Sequence, residues 1–285
     1  MKGKIVLITG GTSGIGRVTA RELARMGAKV VVAGRDPAKL DAIKREIGAD
    51  TIRADLQLVA DARRVAAEFS SRYARLDVLV NNAGALFGRR QVTAEGLERT
   101  FALNHMAYFT LTTALLDLLR ASAPARVISV SSEAARGGRI DFGDLQMERG
   151  YIGIRQYCNT KLMNLIFAFE LSRRLQGSGV TSNAVHPGAI ASGFAMQDAG
   201  WYGVLTRLAR PFLIGEEKGA RTQIWAASET SLEKVTGKYF VRQRENLPPR
   251  PALDQAAALR LWEESERIAA NPTIPSGRRA VPTPS

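Results

Sequence analysis

Short apolar runs that alternate with amphipathic stretches constrain this 285-residue chain more than any other feature. Ile5–Ile8, Lys29–Ala33, Thr51–Ala54, Val78–Val80, Arg126–Val130 and Thr181–Val185 read as strands buried on both faces. Between them, Ile15–Met26, Pro37–Ile47, Val59–Tyr73, Thr93–Arg120 and Gln156–Gln176 have helical spacing. The first of these carries an apolar stripe through Ile15, Val18, Leu23 and Met26, and Gly27 ends it. Repeated strand–helix units predict an α/β fold on a doubly wound parallel sheet of about seven strands. Helices cover both faces and ligands sit at the carboxyl ends of the strands. No linker divides the chain, so 1–270 reads as one domain. Within it 191–215, punctuated by Gly193, Gly200, Gly203 and Pro211, reads as a substrate lid. The last residues, 271–285, are proline- and arginine-containing without apolar period and read as a disordered tail.

Composition removes several function classes. The single cysteine, Cys158, excludes an internal disulfide framework and fits a reducing cytoplasm. The apolar run after Met1 is too short for a signal-peptide core or a membrane span, which predicts a soluble chain with no transmembrane anchor. A net charge of +13 raises nucleic acid as a partner. The arginines are scattered, however, and no zinc-finger spacing accompanies them. A solvated basic surface without specific nucleic-acid binding is the expectation. Cys158, His105 and His186 have no ligand-like neighbours in sequence and read as packing residues, so no metal is expected.

The first strand runs into Thr9-Gly10-Gly11-Thr12-Ser13-Gly14-Ile15-Gly16 and then a helix. Glycines there let the backbone approach a pyrophosphate, and the open amides of a helix start bind its charge. A plain turn is the competing reading. The second strand ends Ala33-Gly34-Arg35-Asp36-Pro37, with glycine where a ribose-binding carboxylate would stand. A guanidinium at Arg35 can pair with a 2′-phosphate, which favours NADP(H), with NAD(H) as the alternative. Asp36, directly before a proline, reads as a helix N-cap.

Tyr157 and Lys161 lie four residues apart in a proline- and glycine-free stretch, so a helix places them on one face. A fixed ammonium near a phenol stabilises the phenolate. The pair reads either as a proton donor or as an exposed helix pair.

With these residues assembled, the chain resembles the short-chain dehydrogenase/reductase family from about Lys4 to Ser265. The motifs occur in order: Thr9–Gly16, Asp55-Leu56, Asn81-Asn82-Ala83-Gly84, Asn104, Ser131-Ser132, Tyr157…Lys161 and Pro187-Gly188. Gly34-Arg35-Asp36, Asn104-His105, Ile140–Leu145, Lys161–Asn164, His186–Gly188 and Leu261–Ser265 resemble the retinol dehydrogenase and WW-domain oxidoreductase branch. The resemblance implies a Rossmann-type fold and an oxidoreductase that moves hydride between NADP(H) and a lipophilic aldehyde, ketone or alcohol. It makes Tyr157 the general acid/base and Lys161 its modulator and a ribose ligand. Ser132, the second serine, orients the substrate oxygen, and Asn104 holds a water linking Lys161 to solvent. Gly10, Thr12, Ser13, Gly14, Ile15 and Gly16 would hold the pyrophosphate. Asp55 and Leu56 would meet the adenine, and Asn82, Ala83 and Gly84 would lie beside the cofactor. Pro187, Gly188 and Ser192 would line the carboxamide.

Arg136–Gly153 and the 191–215 segment carry Ile140, Phe142, Leu145, Phe194, Met196, Trp201, Tyr202 and Leu205, which read equally as pocket or core. The helices at 93–120 and 156–176, apolar on more than one face, allow a homodimer or homotetramer. The alternative to an enzyme is a non-catalytic NAD(P)-binding regulatory or scaffold protein.

Overall fold

The computed structural model describes residues 1–188 and 215–271. Eight strands form one sheet in the order β3-β2-β1-β4-β5-β6-β7-β8. They are β1 (Ile5–Thr9), β2 (Lys29–Gly34), β3 (Asp50–Arg53), β4 (Val78–Asn81), β5 (Ala125–Val130), β6 (Val180–His186), β7 (Tyr239–Val241) and β8 (Arg244–Glu245). All neighbours are parallel except β7 and β8. The order reverses between β1 and β4, and at such a switch the flanking connections leave in opposite directions, opening a crevice at the strand ends.

Alternation along each strand divides the core into two layers. Val6, Ile8, Val30 and Val32 face α1 (Gly14–Arg25), α2 (Pro37–Ile47) and α8 (Glu216–Ser228). Leu7, Val31, Leu79 and Val127 face α3 (Val59–Arg72), α5 (Ala107–Ala114) and α7 (Gly153–Arg174). Both layers are buried, and β1, β2 and β4 at the centre of the sheet are largely apolar on both faces, as the sequence predicts.

Three differences from the sequence reading have local causes. The helix predicted from Thr93 begins at Arg99. Residues 92–98 form a turn instead, with Gly96 at φ 78° and Thr93 N donating to Leu97 O at 2.8 Å. Glu98 then caps α4 (Arg99–Phe101), accepting from the amides of Thr100 and Phe101 at 2.8 Å each. The helix widens to a π turn over Ala102–Met106 before α5, and breaks at Leu115 before α6 (Leu116–Ala121). Second, α7 starts at Gly153, where a β-carbon would sit 2.3 Å from Phe87 O. Only glycine allows that approach.

Third, the sequence reading names neither α8, β7, β8 nor α9 (Gln255–Ala270). The β7–β8 hairpin is short and turns through Arg242 and Gln243 at φ 51° and 59°, without the usual Asn-Gly signal. Helix α9 lies on α7: Trp262 stacks on Phe167 at 6.0 Å and meets Phe109 edge-on at 5.0 Å. The Arg174 guanidinium covers the Trp262 ring at 4.1 Å. Part of the apolar surface that allows an intermolecular helix bundle is thus covered by the chain's own last helix. His105 packs in this layer, with Nε2 against Ser265 Oγ at 2.8 Å, and burial pushes its pKa down to about 3. The predicted lid, apart from Gly215, and the predicted tail, apart from Asn271, lie outside the described residues.

Candidate active site

A cavity of about 730 Å³ opens at the carboxyl ends of β1, β2, β4, β5 and β6. It is lined at one end by Arg35, Asp36 and Lys39 and at the other by Ser132, Tyr157 and Lys161. Every predicted cofactor residue except Ser192, which lies outside the described residues, lines it.

The glycine turn has the geometry that phosphate binding requires. Gly10 and Gly14 take φ 66° and 57°. A β-carbon on Gly16 would lie 2.3 Å from Gly10 O and 2.5 Å from Asn82 Nδ2, so a side chain there would push the turn away from α1. Ser13 begins α1 in extended conformation without a side-chain cap, and the first turn carries no acid. Its amides are suited to an anionic group.

Thr9 secures this turn to β4. Its hydroxyl accepts from Asn82 N at 2.9 Å and Ala83 N at 3.0 Å, while Asn82 Nδ2 donates to Thr9 O at 2.8 Å. Gln223 from α8 reaches Ile15 O and the Thr19 hydroxyl. Thr9 opens the motif named from the sequence without a role assigned to it, and Gln223 is absent from the sequence reading, because their partners are remote in the chain.

At the far end of β2, a β-carbon on Gly34 would meet Thr12 Cγ2 at 3.1 Å. Asp36 is the N-cap of α2, accepting from Lys39 N at 3.2 Å. Asp55 accepts from Gln57 N and Nε2 at 3.2 and 3.1 Å. Both local carboxylates are thus engaged. The two cations are held only loosely, Arg35 at 4.0 Å from Asp55 and Lys39 at 3.9 Å from Asp36. Lys39 is a cavity residue absent from the sequence reading.

At the other end, α7 presents Tyr157 and Lys161 on one face, with Nζ 5.6 Å from the Tyr157 ring centroid. Lys161 is buried and donates to Val130 O at 3.0 Å. The two serines diverge. Ser131 Oγ donates to Lys161 O at 2.7 Å within the interior, whereas Ser132 Oγ accepts from Ala134 N at 3.2 Å and bonds the Tyr157 phenol. Asn104 stands at the π turn. Its amide bonds Ala85 N and O at 2.9 and 3.0 Å and Thr160 Oγ1 at 3.0 Å. A β-carbon on Gly84 would meet both Asn104 Oδ1 (3.2 Å) and Lys161 Nζ (3.4 Å), which places these three groups together.

Burial governs the protonation of the pair. It pushes the Tyr157 phenol up, with the Ser132 bond pulling the other way, and pushes Lys161 down to about 7. The helical spacing predicts a phenol lowered by Lys161; in the polypeptide itself the phenol is instead raised, because burial disfavours its charged form. The sign for stability follows. Between about pH 7 and about 10.4 the unfolded chain holds a proton on Lys161 that the folded chain does not, so this group makes stability rise with pH across that window. The Tm of Lys161→Met minus that of the parent should accordingly shrink from pH 6.5 to 10, and a constant difference would contradict the assignment.

Two further features surround this centre. Glu98 is fully buried and accepts from Thr100 N, Phe101 N, Tyr151 Oη (3.1 Å) and Gln156 Nε2 (3.1 Å). It thereby ties the helix that bears Asn104 to the residue preceding Tyr157. Of the residues left open between pocket and core by the sequence, Leu145 is buried in the core, Ile140 and Phe142 are partly buried against it, and Phe142 lies under the Arg260 guanidinium at 4.4 Å. Phe194, Met196, Trp201, Tyr202 and Leu205 lie outside the described residues. Burial pushes the half-buried Cys158 thiol up, away from thiolate chemistry. Among the described residues no group of His, Cys, Asp and Glu is placed to hold a metal, and no helix is long and apolar enough to cross a membrane.

Comparison with known proteins agrees with this geometry. Residues 4–202 match the family model described as short chain dehydrogenase. Human retinol dehydrogenase 12 is 40% identical over 272 residues, covering 93% of this chain and 86% of that protein. Human retinol dehydrogenase 13 is 39% identical over 93% of this chain and 84% of its own length. Among solved structures, an uncharacterized protein from Mycobacterium paratuberculosis superposes with TM-score 0.78 at 34% identity, covering 95% and 94% of the two chains. The active-site complex of Pseudomonas aeruginosa RhlG with NADP superposes with TM-score 0.67 at 29% identity, covering 85% of this chain and 95% of that one. The chain belongs to the short-chain dehydrogenase family, in its retinol dehydrogenase-like branch, and is an NAD(P)-dependent dehydrogenase/reductase acting on CH–OH groups.

Proposed function

We propose that this protein is an NADP-dependent carbonyl reductase/alcohol dehydrogenase for a lipophilic aldehyde, ketone or alcohol. The observation that carries this reading is the single cavity joining the glycine turn and Arg35 to Ser132, Tyr157 and Lys161. The nicotinamide, when bound, supplies or takes the hydride. Tyr157 gives its proton to the oxygen that gains charge in reduction and takes one back in oxidation. A phenol held neutral by burial suits the first role. Ser132, beside the Tyr157 phenol, hydrogen-bonds the same oxygen and orients it toward Tyr157. Lys161, buried with a pKa near 7, completes the proton path beside Asn104. Because the Asn104 amide is committed to Ala85 and Thr160, the linking water would sit on its main-chain carbonyl, which a π turn can release from the regular ladder.

The choice of NADP(H) over NAD(H) rests on Arg35 and Lys39, two loosely paired cations lining the cavity where β2 ends. Each charge-assisted bond to a phosphate contributes ~1.5–3 kcal/mol, discounted here for exposure. Arg35→Ala with Lys39→Ala should lower kcat/KM for NADPH about 100-fold and leave that for NADH nearly unchanged. A parent protein that prefers NADH would overturn the NADP reading.

The lipophilic substrate is supported by Phe87 and Leu103 in the cavity wall and by the names of the retinol dehydrogenase relatives. A screen of aldehydes, ketones and secondary alcohols by NADPH absorbance tests it, and selective turnover of small hydrophilic substrates would remove it. We further propose a cytoplasmic enzyme that acts as a homo-oligomer through surfaces outside the α9-covered face. Light scattering showing a single-chain mass at working concentration would end the second proposal, and membrane fractionation tests the first. Nothing in the site favours a non-catalytic scaffold.

A further inference from the structure

The residue after Ser132 has no place in the scheme above, yet its carboxylate is tied by three side chains. Glu133 Oε1 accepts from Tyr239 Oη at 2.9 Å and from Asn246 Nδ2 at 3.5 Å. Its Oε2 accepts from Arg136 Nε at 2.7 Å, and Arg136 continues to Leu247 O at 2.8 Å. Its amide donates to His186 Nδ1 at 3.3 Å. Burial pushes the Glu133 carboxyl up, but the bonds from Arg136 and Tyr239 outweigh this and hold it below the usual carboxylate range.

These contacts have a direction. Ser132 is the N-cap of the short 3-10 turn Glu133–Gly137, accepting from Ala134 N. The aim of its hydroxyl at Tyr157 depends on where that turn sits. The turn itself is bolted to two strands of the far half of the sheet. Tyr239 is buried on β7, paired in register with Ala184 of β6, and His186 ends β6. Arg136 belongs to the same turn as Glu133, so the ties out of the turn are Tyr239 and Asn246 on either side of the β7–β8 hairpin, Leu247 O through Arg136, and His186.

We infer that Glu133 is a positioning residue that fixes the Ser132 hydroxyl against Tyr157 by anchoring the turn after β5 to the β7–β8 hairpin and the end of β6. This rests on the assignment of Ser132 and Tyr157 made above. Glu133 does not line the cavity, and its effect passes through Ser132. Displacement of a reacting group by about 1 Å costs up to 100-fold in rate, so partial release of the turn should cost less.

The test is a cycle with Ser132→Ala, using decanal and NADPH. Glu133→Ala should lower kcat about tenfold in the parent and less than twofold in the S132A background, with the Kd for NADPH unchanged. Tyr239→Phe, which keeps the buried ring, should act in the same direction and more weakly. A merely structural acid would lower kcat by the same factor in both backgrounds, and that result overturns the proposal, as does an undiminished kcat in Glu133→Ala. Undiminished kcat in S132A alone would overturn the Ser132 assignment and the proposal with it. The cycle can also be read without turnover, from the Tyr157 Cζ shift in 13C-tyrosine-labelled protein assigned with Tyr157→Phe. Glu133→Ala should move that shift the way S132A does, and should have no further effect in S132A. Equal movement in both backgrounds again overturns it.

Discussion

Tyr157→Phe is expected to reduce turnover on the order of 10³-fold while leaving NADPH affinity within about twofold of the parent. A positioned acid contributes typically 10²–10⁴-fold, and a phenylalanine ring fills the same space without a proton to give. The loss should fall on kcat, because the phenol's proton is needed where charge develops on the substrate oxygen. Fluorescence titration with NADPH separates the two readouts. A variant that keeps more than about a tenth of parental kcat would mean that another group delivers the proton. The low pKa of Lys161 does not make it that group. Its Nζ is buried and donates to Val130 O, so its contact with the reacting centre runs beside Tyr157 and not around it.

The second large effect is on stability. Glu98→Ala should lower the unfolding free energy by about 3–5 kcal/mol, read from urea denaturation at pH 7. The carboxylate satisfies two backbone amides at a helix start, a role that alone contributes ~0.5–2 kcal/mol. It also accepts from Gln156 Nε2, and stranding a buried donor costs ~1–3 kcal/mol, whereas Tyr151 Oη keeps Phe87 O at 2.9 Å as an acceptor. Glu98→Gln should fall between, since an amide must turn its NH2 toward at least one of these donors. The damage has a functional side, because Gln156 precedes Tyr157 and also bonds Leu145 O. A loss below about 1 kcal/mol for the alanine variant would show that water replaces the carboxylate, and the network would then be peripheral.

These residues mark what a sequence displays and what it hides. The strands were legible because a strand covered on both faces has to be apolar throughout, whatever it packs against. The Tyr157–Lys161 face was legible because helical spacing is a local rule that needs no knowledge of the fold. Asp36 as a cap needed only the proline behind it. By contrast, Glu98 and Glu133 look like any surface acids in a chain with 27 acidic residues. Their meaning lies in donors that arrive from 53 and 106 residues away. The break of the predicted 93–120 helix was equally hidden, because apolar spacing continues across a π turn that is set by packing around Asn104.

The sequence by itself determined the layered parallel sheet, the glycine turn and the shared helix face of Tyr157 and Lys161, since each depends on interactions within a few residues or on burial alone. Only the tertiary structure decided that Ser131 turns into the interior while Ser132 meets Tyr157, that burial pushes this phenol up, and that α9 covers part of the helical face otherwise open to a second copy. Those outcomes depend on distances between segments far apart in the chain, which side-chain chemistry permits but does not specify.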